Sequence, residues 1–179
     1  KLLADKLAYY NSKGQTGRQI RVMVVGIPNV GKSSFINRAA KRKAAITSDR
    51  PGVTKGKQWI GIDDGLELLD TPGVLWPRFD DQIVAENLAF TGAIRDEIMD
   101  TETLGANLML RLKERYPDYI ALRYKLDIKE DDGGFDLLEQ AARNRGFLIS
   151  GGNYDTNRMA AVLLDELRSG KLGRVTLES

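Results

Sequence analysis

A glycine-rich stretch in the first quarter of the sequence has the residue types that bind a phosphate chain. Gly26 and Gly31 bracket four residues, and Lys32 and Ser33 follow directly. Glycines let consecutive backbone N–H groups converge on phosphate oxygens without Cβ clashes, and a helix that begins there adds a favourable dipole. The lysine can reach the β- and γ-phosphates, and the serine hydroxyl can ligate Mg²⁺. The stretch predicts a nucleotide-phosphate site; the alternative is a strand-to-helix turn that binds nothing.

Two further elements could complete this site. Asp70 and Gly73 belong to an Asp-Thr-Pro-Gly run that follows a short apolar stretch. The carboxylate could hold Mg²⁺ through its water shell, and the Gly73 N–H could meet a γ-phosphate. Thr54 lies in the polar stretch before the apolar runs, where its hydroxyl could complete the Mg²⁺ coordination. Alone, each would be an ordinary turn or loop residue. The predicted nucleotide-binding residues are Asn29, Val30, Gly31, Lys32, Ser33, Ser34 and Gly73, and the predicted Mg²⁺ ligands are Ser33, Thr54 and Asp70.

The elements around these motifs predict an α/β fold for residues 1–82. Residues 20–25 form a short apolar run, typical of a strand buried in a parallel sheet, and residues 35–42 look helical. Two further short strands, residues 59–63 and 66–70, are separated by Asp-Gly, which is a strong hairpin signal. We therefore expect the second strand to run antiparallel to the third at the sheet edge, as it does in translation-factor-like GTPases.

The remainder, residues 83–179, predicts a small helical domain. Apolar residues recur at helical spacing over residues 83–89, 104–112 and 159–167, and residues 136–145 predict a further helix. Tyr116-Pro117 should end one helix, and Asp155 or Thr156 should cap the last, which should end at Gly170. We expect the apolar stripes of residues 104–112 and 159–167 to form the core of this domain.

Composition excludes several classes of function. The chain has 179 residues, with 27 Lys and Arg against 25 Asp and Glu, and it contains neither Cys nor His. Disulfides and thiolate metal sites are therefore excluded, and the commonest general base is absent. No apolar run approaches the roughly 20 residues of a membrane span, so we expect no membrane contact. We also expect the protein to be a cytoplasmic monomer. Basic residues flank the last helix, where a solvated face and an RNA-phosphate contact both remain open. They are Arg143, Arg145, Arg158, Arg168, Lys171 and Arg174.

Residues 26–38 resemble the phosphate-binding loop of ribosome-associated GTPases. Together with residues 50–54 and the Leu-Leu-Asp-Thr-Pro-Gly-Val-Leu-Trp-Pro run of residues 68–77, they resemble the circularly permuted ribosome biogenesis GTPase A (YlqF-type) family. This resemblance implies a P-loop GTPase core followed by a helical C-terminal domain. It also implies a factor in large ribosomal subunit assembly that binds GTP and GDP with Mg²⁺, hydrolyses GTP, and switches its rRNA binding with nucleotide state.

Two features expected of a GTPase are missing. The guanine-reading Asn-Lys-x-Asp motif does not occur in residues 74–179. The permuted family places that motif upstream of the phosphate-binding loop, so we expect this chain to be a fragment without its guanine-specificity segment. Val74 occupies the position of the glutamine that orients water in Ras-like GTPases, and the histidine that the resemblance implies as a substitute is absent. No catalytic residue is therefore assigned, and we expect the chain alone to hydrolyse GTP weakly.

Asn29 and the overall function each leave alternatives open. The resemblance implies that Asn29 helps to coordinate K⁺; the alternative is that it shapes the loop by accepting backbone hydrogen bonds. For the whole chain, one alternative is a nucleotide-gated binding module or assembly scaffold that does not hydrolyse its nucleotide. Another is a P-loop ATPase, because an ATPase would also lack the guanine motif.

Overall fold

A computed structural model describes residues 2–40, 56–63, 65–75, 81–94 and 100–178. The chain divides into two compact units, Lys1–Pro77 and Arg78–Ser179. The predicted division lies nearby, between residues 82 and 83. Thr54 and the rest of the 50–54 stretch fall outside the described residues, as do Trp76 and Pro77.

The first unit is a small α/β unit built on a three-stranded sheet. Its strand order is β1-β3-β2, with β1 parallel to β3 and β2 antiparallel to β3. The antiparallel pairing predicted from the Asp-Gly turn is therefore confirmed, and Gly65 has a φ of 113°, which glycine adopts readily. The elements are α1 (Leu2–Ser12), β1 (Ile20–Val24), α2 (Lys32–Ala39), β2 (Gln58–Asp63) and β3 (Leu66–Asp70).

The core of the first unit lies between α2 and one face of the sheet. Ile36 of α2 packs with Ile60 of β2 and Leu68 of β3, and all three side chains are buried. Val24 and Ile62 pack against this cluster and are partly buried. The cluster places the first turn of α2 beside the carboxyl ends of β1 and β3.

The expectation that the first strand is buried is wrong for most of its length. Met23 is 59% exposed, and Val22 and Val25 are also exposed. Within the described residues β1 pairs only with β3, so its other edge has no sheet partner. An apolar run identifies the strand, but the burial of its side chains depends on what covers its two faces.

The described part of the second unit is helical, apart from an isolated antiparallel β-bridge between Leu148 and Tyr154. Its helices are α3 (Gln82–Phe90), α4 (Thr101–Arg115), α5 (Pro117–Tyr124), α6 (Gly134–Asn144) and α7 (Thr156–Arg168). Asp81, Asp100 and Asp155 cap α3, α4 and α7 by accepting hydrogen bonds from backbone N–H groups of the first turn. The sequence left Asp155 and Thr156 as alternative caps of α7. In the structure Asp155 is the cap, and its side chain accepts from the Arg158 N–H.

The predicted apolar stripes form the core of this unit. Leu108 and Met109 of α4 are fully buried, as are Met159 and Leu163 of α7. α5 was not predicted, because Pro117 signals the end of the preceding helix. A proline is equally suited to the first turn of a helix, where its missing N–H has no partner to lose, and α5 begins there.

A buried carboxylate joins three helices of the second unit. Both oxygens of Glu166 accept from Arg123, at 2.8 and 3.0 Å, and the Tyr124 hydroxyl donates to one of them at 2.8 Å. Arg145 donates at 3.2 Å. The hydrogen bonds from Arg123, aided by Tyr124 and Arg145, lower the pKa of Glu166 to about 2 against the opposing effect of burial.

Three of the basic residues around the last helix have structural contacts, among them Arg158, whose guanidinium carbon lies 4.3 Å from the centroid of the Phe147 ring. Arg145 pairs with Glu166, and Arg168 donates to the carbonyl oxygens of Ala89 and Phe90 at the end of α3. In the described part of the chain, no helix is long and apolar enough to cross a membrane.

Candidate functional site

The loop between β1 and α2 carries the predicted phosphate-binding residues. Asn29 and Gly31 adopt left-handed backbone conformations, with φ of 59° and 88°. Gly31 precedes α2 and has no side chain with which to cap the helix. Asn29, Val30, Gly31 and Ser34 are exposed, whereas Lys32 and Ser33 are half-buried. An exposed glycine-rich turn that leads into a helix start is suited to bind an anion.

The Lys32 ammonium lies inside this loop. Its Nζ donates to the carbonyl oxygen of Ile27 at 2.7 Å and to that of Gly26 at 3.0 Å. Burial lowers the pKa of Lys32, and the neighbouring Asp70 carboxylate partly offsets this shift. The loop therefore holds a positive charge at the place where the sequence predicts the β- and γ-phosphates.

Asp70 and Ser33 meet at the carboxyl edge of the sheet. Asp70 is the last residue of β3 and is 2% exposed, and its Oδ2 accepts from Ser33 Oγ at 2.8 Å. Within the described residues, the buried Asp70 Oδ1 has no hydrogen-bond partner. Because β1 and β3 are parallel, their carboxyl ends share one edge of the sheet, and this brings the two side chains together.

This pair of residues fits a hydrated Mg²⁺ ion. Hydroxyl and carboxylate oxygens are ligands that Mg²⁺ accepts, and the ion usually keeps several waters while binding one or two carboxylates and substrate phosphates. The partnerless Asp70 Oδ1 could accept a hydrogen bond from such a water. No cluster of three Asp, Glu, His or Cys residues occurs in the described ranges, and a site completed by phosphates does not need one.

Gly73 packs directly against the phosphate-binding loop. A Cβ built on Gly73 would lie 2.5 Å from both N and Cα of Pro28, so only glycine allows this approach. The next residue, Val74, donates its N–H to the carbonyl oxygen of Gly26 at 3.3 Å, while its side chain is 74% exposed. An exposed apolar side chain cannot orient a water molecule by hydrogen bonding.

The structure thus brings four of the predicted residues into one place: Lys32, Ser33, Asp70 and Gly73. Sequence reasoning missed the role of Thr71, which is 8% exposed and donates from Oγ1 to the carbonyl oxygen of Val24 at 2.7 Å. It also missed Pro28, the surface against which Gly73 packs. A threonine directly after a strand was the one available signal, and such residues commonly bond to backbone carbonyls.

The strand, glycine-rich loop and helix, with Lys32 in the loop and Ser33 beside Asp70, define a P-loop nucleotide-binding fold. The sequence profile of the 50S ribosome-binding GTPase family matches residues 21–112. The chain belongs to this family.

Individual relatives agree with this assignment. The chain is 44% identical to ribosome biogenesis GTPase A of Bacillus cereus, over 99% of this chain and 60% of that protein. It is 32% identical to ribosome biogenesis GTPase A of Thermotoga maritima, over 99% of this chain and 61% of that protein. The chain therefore spans about three fifths of the length of these curated relatives.

Solved structures of a related protein share the fold. This chain is 29% identical in sequence to the chain in the GNP-bound structure of YlqF from Thermotoga maritima. The two folds match with a TM-score of 0.57 over 96% of this chain and 64% of that one. The sequence identity to the chain in the GDP-bound structure of YlqF is 27%, with a TM-score of 0.58 over 96% of this chain and 65% of that one. The predicted P-loop GTPase fold and the resemblance to ribosome biogenesis GTPase A are confirmed.

Proposed function

We propose that this chain binds GTP and GDP with Mg²⁺ and forms the phosphate-binding part of a GTP-hydrolysing factor in large ribosomal subunit assembly. The observation that carries the proposal is the 2.8 Å contact between Ser33 Oγ and Asp70 Oδ2, beside a buried carboxylate oxygen without a partner. Family membership and the names of the relatives support the choice of GTP and of the ribosome.

Each proposed site residue has a chemical role. Lys32 and the backbone N–H groups of residues 29–34 bind the phosphates, and the Gly73 N–H meets the γ-phosphate. Ser33, Asp70 and Thr54 hold Mg²⁺, which neutralises charge on the β- and γ-phosphate oxygens when it is bound. Asp70 is positioned by β3 and Ser33 by the first turn of α2, two elements that the core of Ile36 and Leu68 keeps together.

The proposed partner is the large ribosomal subunit. Loss of the γ-phosphate contact at Gly73 would shift the protein to a state with lower affinity for rRNA, and the factor would then dissociate. Arg143, Arg158, Lys171 and Arg174 are the basic residues of the helical unit proposed to contact rRNA phosphates. The factor acts in the cytoplasm as a monomer.

A second candidate is a nucleotide-gated scaffold that does not hydrolyse its nucleotide. Two observations favour it: the Val74 side chain is apolar and 74% exposed, and the chain contains no His. Under both candidates we expect weak turnover of GTP by this chain alone. A measurement of GTP hydrolysis by a protein that spans the full length of the relatives distinguishes the two candidates.

The proposed K⁺ role of Asn29 is tested separately. Asn29 has a left-handed backbone conformation in an exposed turn, a geometry that also fits the alternative of a residue that only shapes the loop. Replacing K⁺ by Na⁺ should lower GTP turnover of the longer protein if Asn29 helps to hold the ion. Equal turnover in the two salts would leave only the loop-shaping role.

The decisive experiment is a binding titration of the chain with fluorescent GDP, a non-hydrolysable GTP analogue and the matching ATP analogue, with Mg²⁺ or with EDTA. We expect the GTP analogue to bind more tightly in Mg²⁺ than in EDTA, and Ser33→Ala to remove most of this difference. Ser169→Ala, a serine of the helical unit, is the matched control. No Mg²⁺ dependence in the wild-type chain would contradict the proposal, and a tenfold or larger preference for ATP, about 1.4 kcal/mol, would favour the ATPase alternative.

A further inference from the structure

The segment that follows β3 is held against the end of β1 and the phosphate-binding loop by three contacts in four residues. Thr71 Oγ1 donates to the carbonyl oxygen of Val24 at 2.7 Å, and the Val74 N–H donates to that of Gly26 at 3.3 Å. Between them, Gly73 lies against the backbone of Pro28. The partners of these three residues all lie within the five residues from the end of β1 to Pro28.

Thr71 makes the contact that continues the sheet. Val24 and Asp70 are the last paired residues of the β1–β3 ladder. One residue further, the Thr71 hydroxyl takes the place of a ladder hydrogen bond and reaches back to the Val24 carbonyl. Thr71 is 8% exposed, so this contact is shielded from competing water. Thr71 lies directly after Asp70 and two residues before Gly73, so its contact restricts the backbone at both positions.

We propose that Thr71 is a positioning residue, whose hydroxyl sets the place of the Asp70 carboxylate and the Gly73 N–H relative to the phosphate-binding loop. This inference rests on the proposed function, because it assigns Thr71 to the metal and γ-phosphate side of that same site. Lys32 and the loop backbone also contact phosphates that GDP shares with GTP, and the Lys32 ammonium is held by the carbonyl oxygens of Gly26 and Ile27 rather than by Thr71. Loss of the hydroxyl should therefore weaken triphosphate binding more than diphosphate binding.

Three variants of the full 179-residue chain test the proposal. Thr71→Val keeps the shape of the side chain and removes the donor, whereas Thr71→Ser keeps the donor. Thr91→Val is the matched control, because Thr91 Oγ1 also donates to a backbone carbonyl, that of Asn87 at 3.0 Å, in the helical unit. The two readouts are amide hydrogen exchange at Val74 without nucleotide and the affinities for GDP and a non-hydrolysable GTP analogue in Mg²⁺.

We expect Thr71→Val to speed exchange of the Val74 amide about tenfold, as the loss of one net hydrogen bond implies, while the amides of Ile60 and Leu68 keep their wild-type rates. The GTP analogue should bind about fivefold to tenfold more weakly, with less than a twofold change for GDP. Thr71→Ser should restore both values to near wild type, and Thr91→Val should change neither.

Three results would overturn the proposal: wild-type exchange at Val74 in Thr71→Val, an equal loss of GDP and GTP-analogue affinity, or failure of Thr71→Ser to restore the site. If the wild-type chain binds no nucleotide at all, the proposed function fails. The exchange rate of the Val74 amide then still decides whether Thr71 fastens this segment, because that readout needs no ligand.

Discussion

The two units of this chain differ in how completely they bury their apolar side chains. In the described part of the helical unit, nineteen buried residues form one cluster. The corresponding cluster of the α/β unit contains Ile36, Ile60 and Leu68, while Met23 and Val25 are 59% and 71% exposed. Among the described residues, the unit that carries the candidate site therefore has the smaller core.

This difference shows that the two units are organised by different interactions. In the helical unit, apolar packing and aspartate caps determine the structure. In the α/β unit, the residues of the site are held by polar contacts and by a close backbone approach, as at Thr71 and Gly73. Because local stability follows buried apolar contacts, we expect the site to open more readily than the helical core.

The largest expected effect is the removal of a core side chain from the helical unit. Leu138 is fully buried, so Leu138→Ala should lower the free energy of unfolding of that unit by about 3 kcal/mol. The matched variant Ile60→Ala in the α/β unit should cost about 2 kcal/mol, because a small cluster relaxes more easily around the cavity.

Urea unfolding can follow the two units separately. Both tryptophans, Trp59 and Trp76, belong to the first unit, so tryptophan fluorescence reports on it and far-UV circular dichroism is dominated by the helical unit. Equal losses for Leu138→Ala and Ile60→Ala would contradict the proposed difference between the cores.

The next effect concerns the site itself. Lys32→Met should weaken binding of a GTP analogue about thirtyfold, because it removes charge-assisted hydrogen bonds to phosphate. The exposed Lys13 is the matched control, and Lys13→Met should leave the affinity unchanged. The unfolding midpoint of the helical unit should be the same in both variants. A shift of that midpoint in Lys32→Met would mean that the site and the helical unit are not independent.

The buried carboxylate of the helical unit should make its stability depend on pH. The pKa of Glu166 is about 2 in the folded protein and 4.5 is its ordinary value, so the folded state favours the ionised form. The resulting stabilisation is fully present above about pH 5 and is lost as the pH falls towards 2; it amounts to about 2 kcal/mol after allowance for screening at the partly exposed arginines.

Urea midpoints of the helical unit measured between pH 2 and pH 6 check this expectation. Glu166→Gln should be less stable than the wild type at pH 6, because Arg123 and Arg145 lose their charged partner, and its midpoint should vary less with pH. Asp165→Asn, a change at the neighbouring position, is the control and should follow the wild-type pH dependence. A wild-type midpoint that is flat from pH 6 to pH 2 would contradict the role of Glu166.

The smallest effect concerns a helix cap. Asp155 accepts from the Arg158 N–H at 2.9 Å, and Asp155→Ala should destabilise the helical unit by about 1 kcal/mol. Asp155→Asn keeps an acceptor at the same place and should cost much less. Urea unfolding followed by circular dichroism measures both variants, and an Asn variant as unstable as the Ala variant would argue against a capping role.

The sequence predicted the parts of the fold that depend on local chemistry. The phosphate-binding loop, the Asp-Gly hairpin, the apolar stripes of α4 and α7 and a cap at Asp155 or Thr156 follow from residue types at fixed spacings. Ser33 and Asp70 were predicted only as ligands of the same Mg²⁺; the structure places their side chains 2.8 Å apart, because the parallel strands β1 and β3 bring their carboxyl ends to one edge.

The remaining features depend on contacts between residues distant in sequence. The exposure of Met23 depends on the partners of β1, and the pairing of Glu166 with Arg123 requires knowledge of how α5 meets α7. The approach of Gly73 to Pro28 depends on how the loops after β1 and β3 are positioned relative to each other at the edge of the sheet. None of these relations leaves a periodic pattern in the sequence.

The strand order has a consequence for the timing of motions within the site. β3 lies between β1 and β2, so its release requires the loss of two ladders, whereas β1 can be released by the loss of one among the described strands. Asp70 ends the central strand, and the phosphate-binding loop follows the outer one. We therefore expect the carboxylate side of the site to open rarely and slowly, and the loop side to open often and fast.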